Sequence, residues 1–203
     1  MGLISNGTTL FDNGSMASGL GGSMILIKKQ TASSSSTISF VHGTANVDLS
    51  SYKEYMFTFN NIHPQNDATQ FMVNYSTDSG SNYNTTKSST FFLIRHSESG
   101  GSYELSYKTG QDLHQSTSNQ QLTVDSDNNS DSGQSGYLHL FNPSSTVMAK
   151  HWISRIQGVQ TSQHSMENLT SGYVNTTSAV NGVQFSINSG NIDSGDICLY
   201  GIA

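Results

Sequence analysis

Apolar and small polar residues alternate in short runs along most of the chain, and each run ends at glycine, asparagine, aspartate or serine. In the clearest run, Tyr55, Phe57 and Phe59 share one face of a predicted strand, because successive strand side chains point to opposite faces. The run covers 52–62 and ends at His63 and Pro64. Further strands are predicted at 24–30, 37–42, 71–75, 89–97, 103–107, 120–124, 136–141, 146–157, 172–176, 182–188 and 195–202.

Turn residues follow these runs roughly every 8–12 residues, a spacing typical of antiparallel sandwiches and barrels. The pattern predicts an all-β protein, an antiparallel β-sandwich that is jelly-roll-like, with two sheets of four or five strands. Almost no stretch repeats apolar residues at helical spacing. A helix over 162–169 is the one alternative left open.

The first stretch differs from the rest and is predicted to be an extended N-terminal arm, 1–23, ahead of a single β-sandwich domain, 24–203. The arm is rich in glycine and has only isolated apolar residues, so it must dock onto something else. It either anchors the protein or links subunits, the alternative being a first strand tucked under its own domain. The candidate docking residues are Leu3, Ile4, Leu10 and Phe11.

Two runs, 24–27 and 91–94, are apolar on both faces, whereas sandwich strands normally keep one polar face. They need cover either from a loop or from another subunit. Sheet edges are usually protected by lysine or proline, and the chain has eight Lys and Arg residues and two prolines. We therefore expect some edges to be protected by assembly with other copies.

Only 11% of the 203 residues are charged, and the net charge is −6. The acidic balance argues against a nucleic-acid partner. No apolar run approaches the roughly 20 residues of a membrane span, so no membrane partner is expected either. Cys198 is the single cysteine and lies in an apolar strand pattern, which predicts a buried, inert thiol.

No combination of residues carries a convincing catalytic, cofactor or metal site, so the sequence predicts a protein that is not an enzyme. The acidic loop 125–133 resembles the start of a calcium loop. However, Ser130 stands where such a loop needs glycine, and Gly136 where it needs a bidentate glutamate. A solvated hairpin loop is the preferred interpretation, and the seven histidines show no metal-ligand spacing.

Tyrosines on strands, among amides and hydroxyls, raise the alternative of a sugar-binding face, because flat rings stack on pyranose surfaces. Tyr83, Tyr103 and Tyr107 are the candidate glycan-facing residues. Tyrosine is also a good strand former, so plain packing is the preferred interpretation of these positions.

Four blocks resemble the small virion structural proteins of marine tailed phages, both cyanophage-like and pelagiphage-like. They are 52–64 (YKEYMFTFNNIHP), 80–87 (GSNYNTTK), 138–145 (LHLFNPSS) and 189–202 (SGNIDSGDICLYGI). The resemblance covers most of the body, and its last block is the most specific. It implies a particle component without catalytic residues, carrying either a head or a tail role.

The sequence thus predicts a virion protein on the surface of a phage particle, a capsid decoration of the cement or head-fibre kind. Its expected partners are copies of itself, as a homotrimer, and the major capsid protein or another virion protein. The alternative is a tail-fibre or receptor-binding module that recognises host surface glycans. No cofactor is expected for either function.

Overall fold

The computed structural model describes residues 23–203 with their side chains, and the backbone of three short strands before them. These three are β1 (Leu3–Ser5), β2 (Thr8–Asp12) and β3 (Ser15–Met16), which pair antiparallel in a sheet of their own. The docking contacts predicted for Leu3, Ile4, Leu10 and Phe11 concern side chains that lie outside the described residues.

Twelve strands form the body of the molecule, and the described residues contain no helix. The first six are β4 (Met24–Ser35), β5 (Thr37–Val41), β6 (Glu54–Pro64), β7 (Phe71–Ser76), β8 (Lys87–Ser97) and β9 (Tyr103–Tyr107). The last six are β10 (Gln120–Gln121), β11 (Gln134–Phe141), β12 (Lys150–Gln160), β13 (His164–Val174), β14 (Gly182–Ile187) and β15 (Ile192–Ile202).

The body is an antiparallel β-sandwich, as the sequence predicts. One sheet has the order β4-β15-β6-β11-β12-β13-β8-β9, and the other has the order β10-β7-β14-β5. The first four strands of the larger sheet, β4-β15-β6-β11, face β5-β14-β7-β10. Within this set the chain crosses between the sheets at every step except that from β7 to β10, which are neighbours in the smaller sheet. This is the strand order of a jelly roll, with its two Greek keys.

The sheets are unequal, which corrects the expectation of four or five strands in each. Two hairpins, β8–β9 and β12–β13, interrupt the jelly roll, and both add to the same sheet beyond β11. We call these four strands the extension. The alternative of a helix over 162–169 is wrong, because β13 begins at His164 and pairs with β12 and β8 along its whole length.

The core confirms the faces that alternation predicts. Tyr55, Phe57 and Phe59 are all buried, and Phe57 and Phe59 meet the second sheet at Phe185 on β14. The ring centroid of Phe185 lies 5.3 Å from that of Phe57 and 5.2 Å from that of Phe59, both edge-on. Phe71 stacks on Phe185 at 5.6 Å. Aromatic pairs of this geometry add to the free energy gained by burial.

A long connection, 108–133, covers the inner face of the extension. Phe91 and Leu93 of β8 are buried beneath it in a second cluster with Val124 and Met166. Backbone hydrogen bonds fix the connection in place, from Ser89 N to Leu113 O at 3.0 Å and from Asp127 N to Val159 O at 3.1 Å. The inward residues of the 91–94 run, Phe91 and Leu93, are therefore covered by a loop of the same chain.

Cys198 is buried and free, which confirms that part of the prediction. Among the residues from 23 onwards, together with the three N-terminal strands, no helix is long and apolar enough to cross a membrane. The described part of the molecule is thus organised entirely by its sheets.

Candidate functional site

Five of the ten large hydrophobic side chains exposed in the described residues lie on the outer face of the extension, on its last two strands. Tyr103, Leu105 and Tyr107 of β9 all point outward, and Leu105 and Tyr103 are 74% and 84% exposed. Two residues of the neighbouring strand β8 lie beside them: Phe92 is opposite Tyr107, and Ile94 is opposite Leu105. We call these five residues the outer patch.

The outer patch exists because β8 is apolar on both faces while only one face is covered. Phe91 and Leu93 point inward and are buried, so Phe92 and Ile94 necessarily point outward. The rings of Phe92 and Tyr107 meet edge-on at 5.2 Å. The patch is therefore a packed, ordered surface, and contiguous apolar surface of this kind marks an interaction site more often than isolated exposed residues do.

Charged side chains stabilise the inner side of the β8–β9 hairpin. Glu104 accepts a hydrogen bond from Lys108 and another from Ser106, and its Oε2 lies 2.7 Å from Arg95 Nε. The hydrogen bonds from Lys108 and Ser106, together with the charge of Arg95, lower the pKa of Glu104 to about 2. The only acid of β9 is thereby neutralised within its own chain, and the outer face of β9 is uncharged.

An open depression of about 460 Å³ borders the outer patch. Ile94, Tyr103 and Leu105 form its apolar side, and Gln157 and Glu167 supply polar groups. Glu167 also forms an ion pair with Arg155 across β12 and β13. Glu167 and Gln157 line both this depression and a neighbouring one of about 280 Å³. An exposed ring beside amide and carboxylate groups can stack on a sugar and bond its hydroxyls.

The predicted glycan-facing residues are brought together only in part. Tyr103 and Tyr107 share the outer patch, but Tyr83 lies at the end of the four-stranded sheet, packed against Gly80 and Gly182. The Tyr83 hydroxyl is buried. Its packing explains Tyr83 without a ligand, whereas nothing in the described chain covers the Tyr103 ring.

The acidic loop 125–133 is held together by its own side chains. Asn129 Nδ2 donates to Asp127 Oδ2 at 2.8 Å, and Ser132 Oγ donates to the same oxygen at 2.6 Å. Among the described residues, no three His, Cys, Asp or Glu side chains are grouped so that they could hold a metal ion. The contacts of Asp127 are those of a closed turn.

Sequence reasoning missed Leu105 and the outward direction of Phe92 and Ile94. The sequence shows the alternation of 103–107 and predicts that the apolar run 91–94 needs cover on both faces. What the sequence lacked was any sign of which face the connection 108–133 covers, because that depends on how the two hairpins add to the sheet.

No protein-family model, no curated protein and no solved structure matches this chain significantly.

Proposed function

We propose that the protein is a non-catalytic structural component of a tailed-phage particle, a decoration protein on the capsid surface. It acts by attaching to the particle and associating with copies of itself. The resemblance of four sequence blocks to virion structural proteins of marine tailed phages is the basis for the phage assignment. The jelly roll is compatible with it, since capsid proteins use this architecture, as do lectins.

The outer patch is the observation that carries the assembly part of the proposal. A sandwich strand exposed to solvent normally presents a polar outer face, yet β8 and β9 present three aromatic rings and two aliphatic side chains side by side. Burying them against another protein surface contributes about 25 cal/mol for each Å² of apolar area removed from water. The low charge of the chain leaves this attraction largely independent of salt.

Deletion of residues 1–22 tests the attachment part of the proposal. We expect the truncated protein to fold but to be lost from particles, because the arm supplies the contacts of Leu3, Ile4, Leu10 and Phe11 with the shell. Particles of the encoding phage are grown with either the full-length or the truncated chain, purified, and probed by immunogold labelling with antibodies against 23–203. Circular dichroism checks that the truncated chain is folded.

Labelling on the capsid with the full-length chain and none with the truncated chain is the expected result. Full incorporation of the truncated chain contradicts the attachment role of the arm. Labelling at the tail tip, or no labelling of particles by the full-length chain, contradicts capsid decoration.

A second candidate function, host-glycan binding at a tail fibre, is favoured by the depression beside Tyr103. If it is correct, a glycan array gives selective binding that is lost when Tyr103 is replaced by alanine, because the ring is the stacking platform. Tyr173→Ala is the matched control, since Tyr173 lies on the outer face of β13 but does not line the depression. Equal binding by both variants, or no binding at all, rejects this function.

A further inference from the structure

Within the described residues, strand β9 has one edge without a paired strand. Among the strands that the structure describes, β9 is the last of the eight-stranded sheet and pairs only with β8. The row of backbone N–H and C=O groups along an edge of this kind is a template for another strand.

The hydrogen-bond pattern shows which residues of β9 face that free edge. Lys108 N donates to Phe91 O at 2.9 Å, and Ser97 N donates to Ser102 O at 2.8 Å. In an antiparallel ladder, hydrogen-bonded pairs alternate with non-bonded ones, so the bonded residues of β9 have even numbers. The N–H and C=O groups of Tyr103, Leu105 and Tyr107 therefore point away from β8.

This edge is short and carries the inward-facing Glu104, but it lacks the other features that usually protect an edge strand. β9 contains no lysine, no proline and no bulge, and its register with β8 is regular. The opposite edge of the same sheet is different, because β4 carries Lys28 and Lys29 and its pairing with β15 shifts register. Of the two edges, β9 is the one open to pairing.

The strand is also complementary to itself. In its sequence, Tyr-Glu-Leu-Ser-Tyr, the outward residues are symmetric about Leu105, with Tyr103 on one side and Tyr107 on the other. Antiparallel pairing of two copies about Leu105 sets each Tyr103 opposite a Tyr107 and the two Leu105 residues opposite each other. All three pairs are of the hydrogen-bonded kind, so they form six backbone hydrogen bonds, two for each pair.

We propose that two copies of this chain associate through β9, in antiparallel register centred on Leu105, and join their large sheets into one continuous sheet. The two outer patches then merge into a single apolar strip. Glu104 opposes Ser106 of the other copy, and its charge is already balanced by Arg95 and Lys108, so strand β9 itself brings no unpaired charge into the contact. Aromatic and aliphatic cross-strand pairs stabilise the pairing further.

The contact deepens the self-association in the proposed function, but it does not depend on a phage particle. It has twofold symmetry, because both copies use the same surface. It therefore gives a dimer, whereas the sequence led us to expect a trimer. The mass of the assembly in solution distinguishes the two.

Sedimentation velocity of the full-length chain, from low to high concentration, tests the inference. We expect a monomer–dimer equilibrium whose dissociation constant rises about 100-fold in the variant Leu105→Pro. Because the N–H of Leu105 points to the free edge, proline removes no hydrogen bond of the β8–β9 ladder. Leu105→Lys tests the same contact without proline and is expected to weaken the dimer comparably, since it brings like charges together.

Leu105→Val is the matched control, since valine favours strands and keeps the position apolar, and we expect it to dimerise like the wild type. A wild-type chain that stays monomeric at high concentration overturns the inference. A trimer, or a dimer unaffected by both Leu105→Pro and Leu105→Lys, also overturns pairing through β9 but leaves capsid attachment standing, because that proposal is tested on particles. Dichroism of each variant confirms that it is folded.

Discussion

Replacing Phe185 by alanine is expected to lower the free energy of unfolding by about 3–5 kcal/mol, the usual cost of removing a buried aromatic ring. Phe185 is fully buried at the centre of the jelly roll, where its ring contacts those of Phe57, Phe59 and Phe71. These rings belong to both sheets, so the substitution leaves a cavity at the point where the sheets meet. Chemical denaturation followed by fluorescence or dichroism measures the change.

Val147→Ala is the matched control for this prediction. Val147 is 75% exposed in the turn before β12, so the same kind of truncation there is expected to change stability by less than about 0.5 kcal/mol. If Phe185→Ala costs no more than Val147→Ala, the sheets do not pack as described, and the jelly-roll assignment fails with them.

The second large effect concerns a buried lysine. Lys87 and Lys150 lie on either side of Val174 in adjacent strands, and neither is exposed. Lys87 Nζ donates to Thr85 O at 2.9 Å, and Lys150 Nζ donates to Ser178 O at 2.6 Å. The ammonium groups thus attach two loops to the inner face of the extension. Burial away from water lowers the pKa of Lys87 to about 8.

The depressed pKa makes stability depend on pH in a definite direction. Between about pH 8 and pH 10.5 the unfolded chain keeps the proton on Lys87 while the folded chain has lost it. The unfolded state binds more protons in this window, so stability rises with pH. Below pH 8 the folded protein buries Lys87 in its charged form, and the full free-energy cost of that burial lowers its stability.

We therefore expect the wild type to gain about 2 kcal/mol of stability relative to Lys87→Met between pH 8 and pH 10. Methionine keeps the length of the side chain but has no charge to lose. Denaturation of both proteins at several pH values measures the difference, and tyrosine ionisation cancels because both proteins share it. Parallel stability curves across this window would contradict a buried ammonium at position 87.

The sequence was sufficient to predict which residues fill the core of the jelly roll. Tyr55, Phe57 and Phe59 alternate with Met56, Thr58 and Asn60, and a one-residue shift in register would expose all three. Their burial follows from the period alone, and the same holds for Phe185 on β14. Composition supplied the fold class, since strand formers and turn residues leave no helical stretch among the residues described.

The size of the larger sheet could not be predicted, because strand order is a matter of contacts distant in sequence. A hairpin such as β8–β9 has the same alternation whether it joins one sheet or the other. Its place next to β13 depends on how the connection 108–133 packs beneath it. The outer patch follows from that placement, so the sequence could not predict it either.

Individual polar positions were equally hard to assign from the sequence. Lys87 begins a strand and has no motif that marks it as buried, since its partners are backbone carbonyls. Tyr83 and Tyr103 occur in similar serine- and asparagine-rich surroundings, yet one is packed against glycines and the other is almost fully exposed. Such differences arise from how the loops pack, which a single sequence does not reveal.

Residue-resolved amide hydrogen exchange of the full-length chain tests most directly whether the free edge of β9 joins two copies. The account predicts slow exchange at Glu104 and Ser106 at every concentration, because these amides bond to β8. It predicts that the amides of Tyr103, Leu105 and Tyr107 exchange quickly in dilute protein and become protected as concentration rises. Fast exchange of these three amides at all concentrations would contradict it.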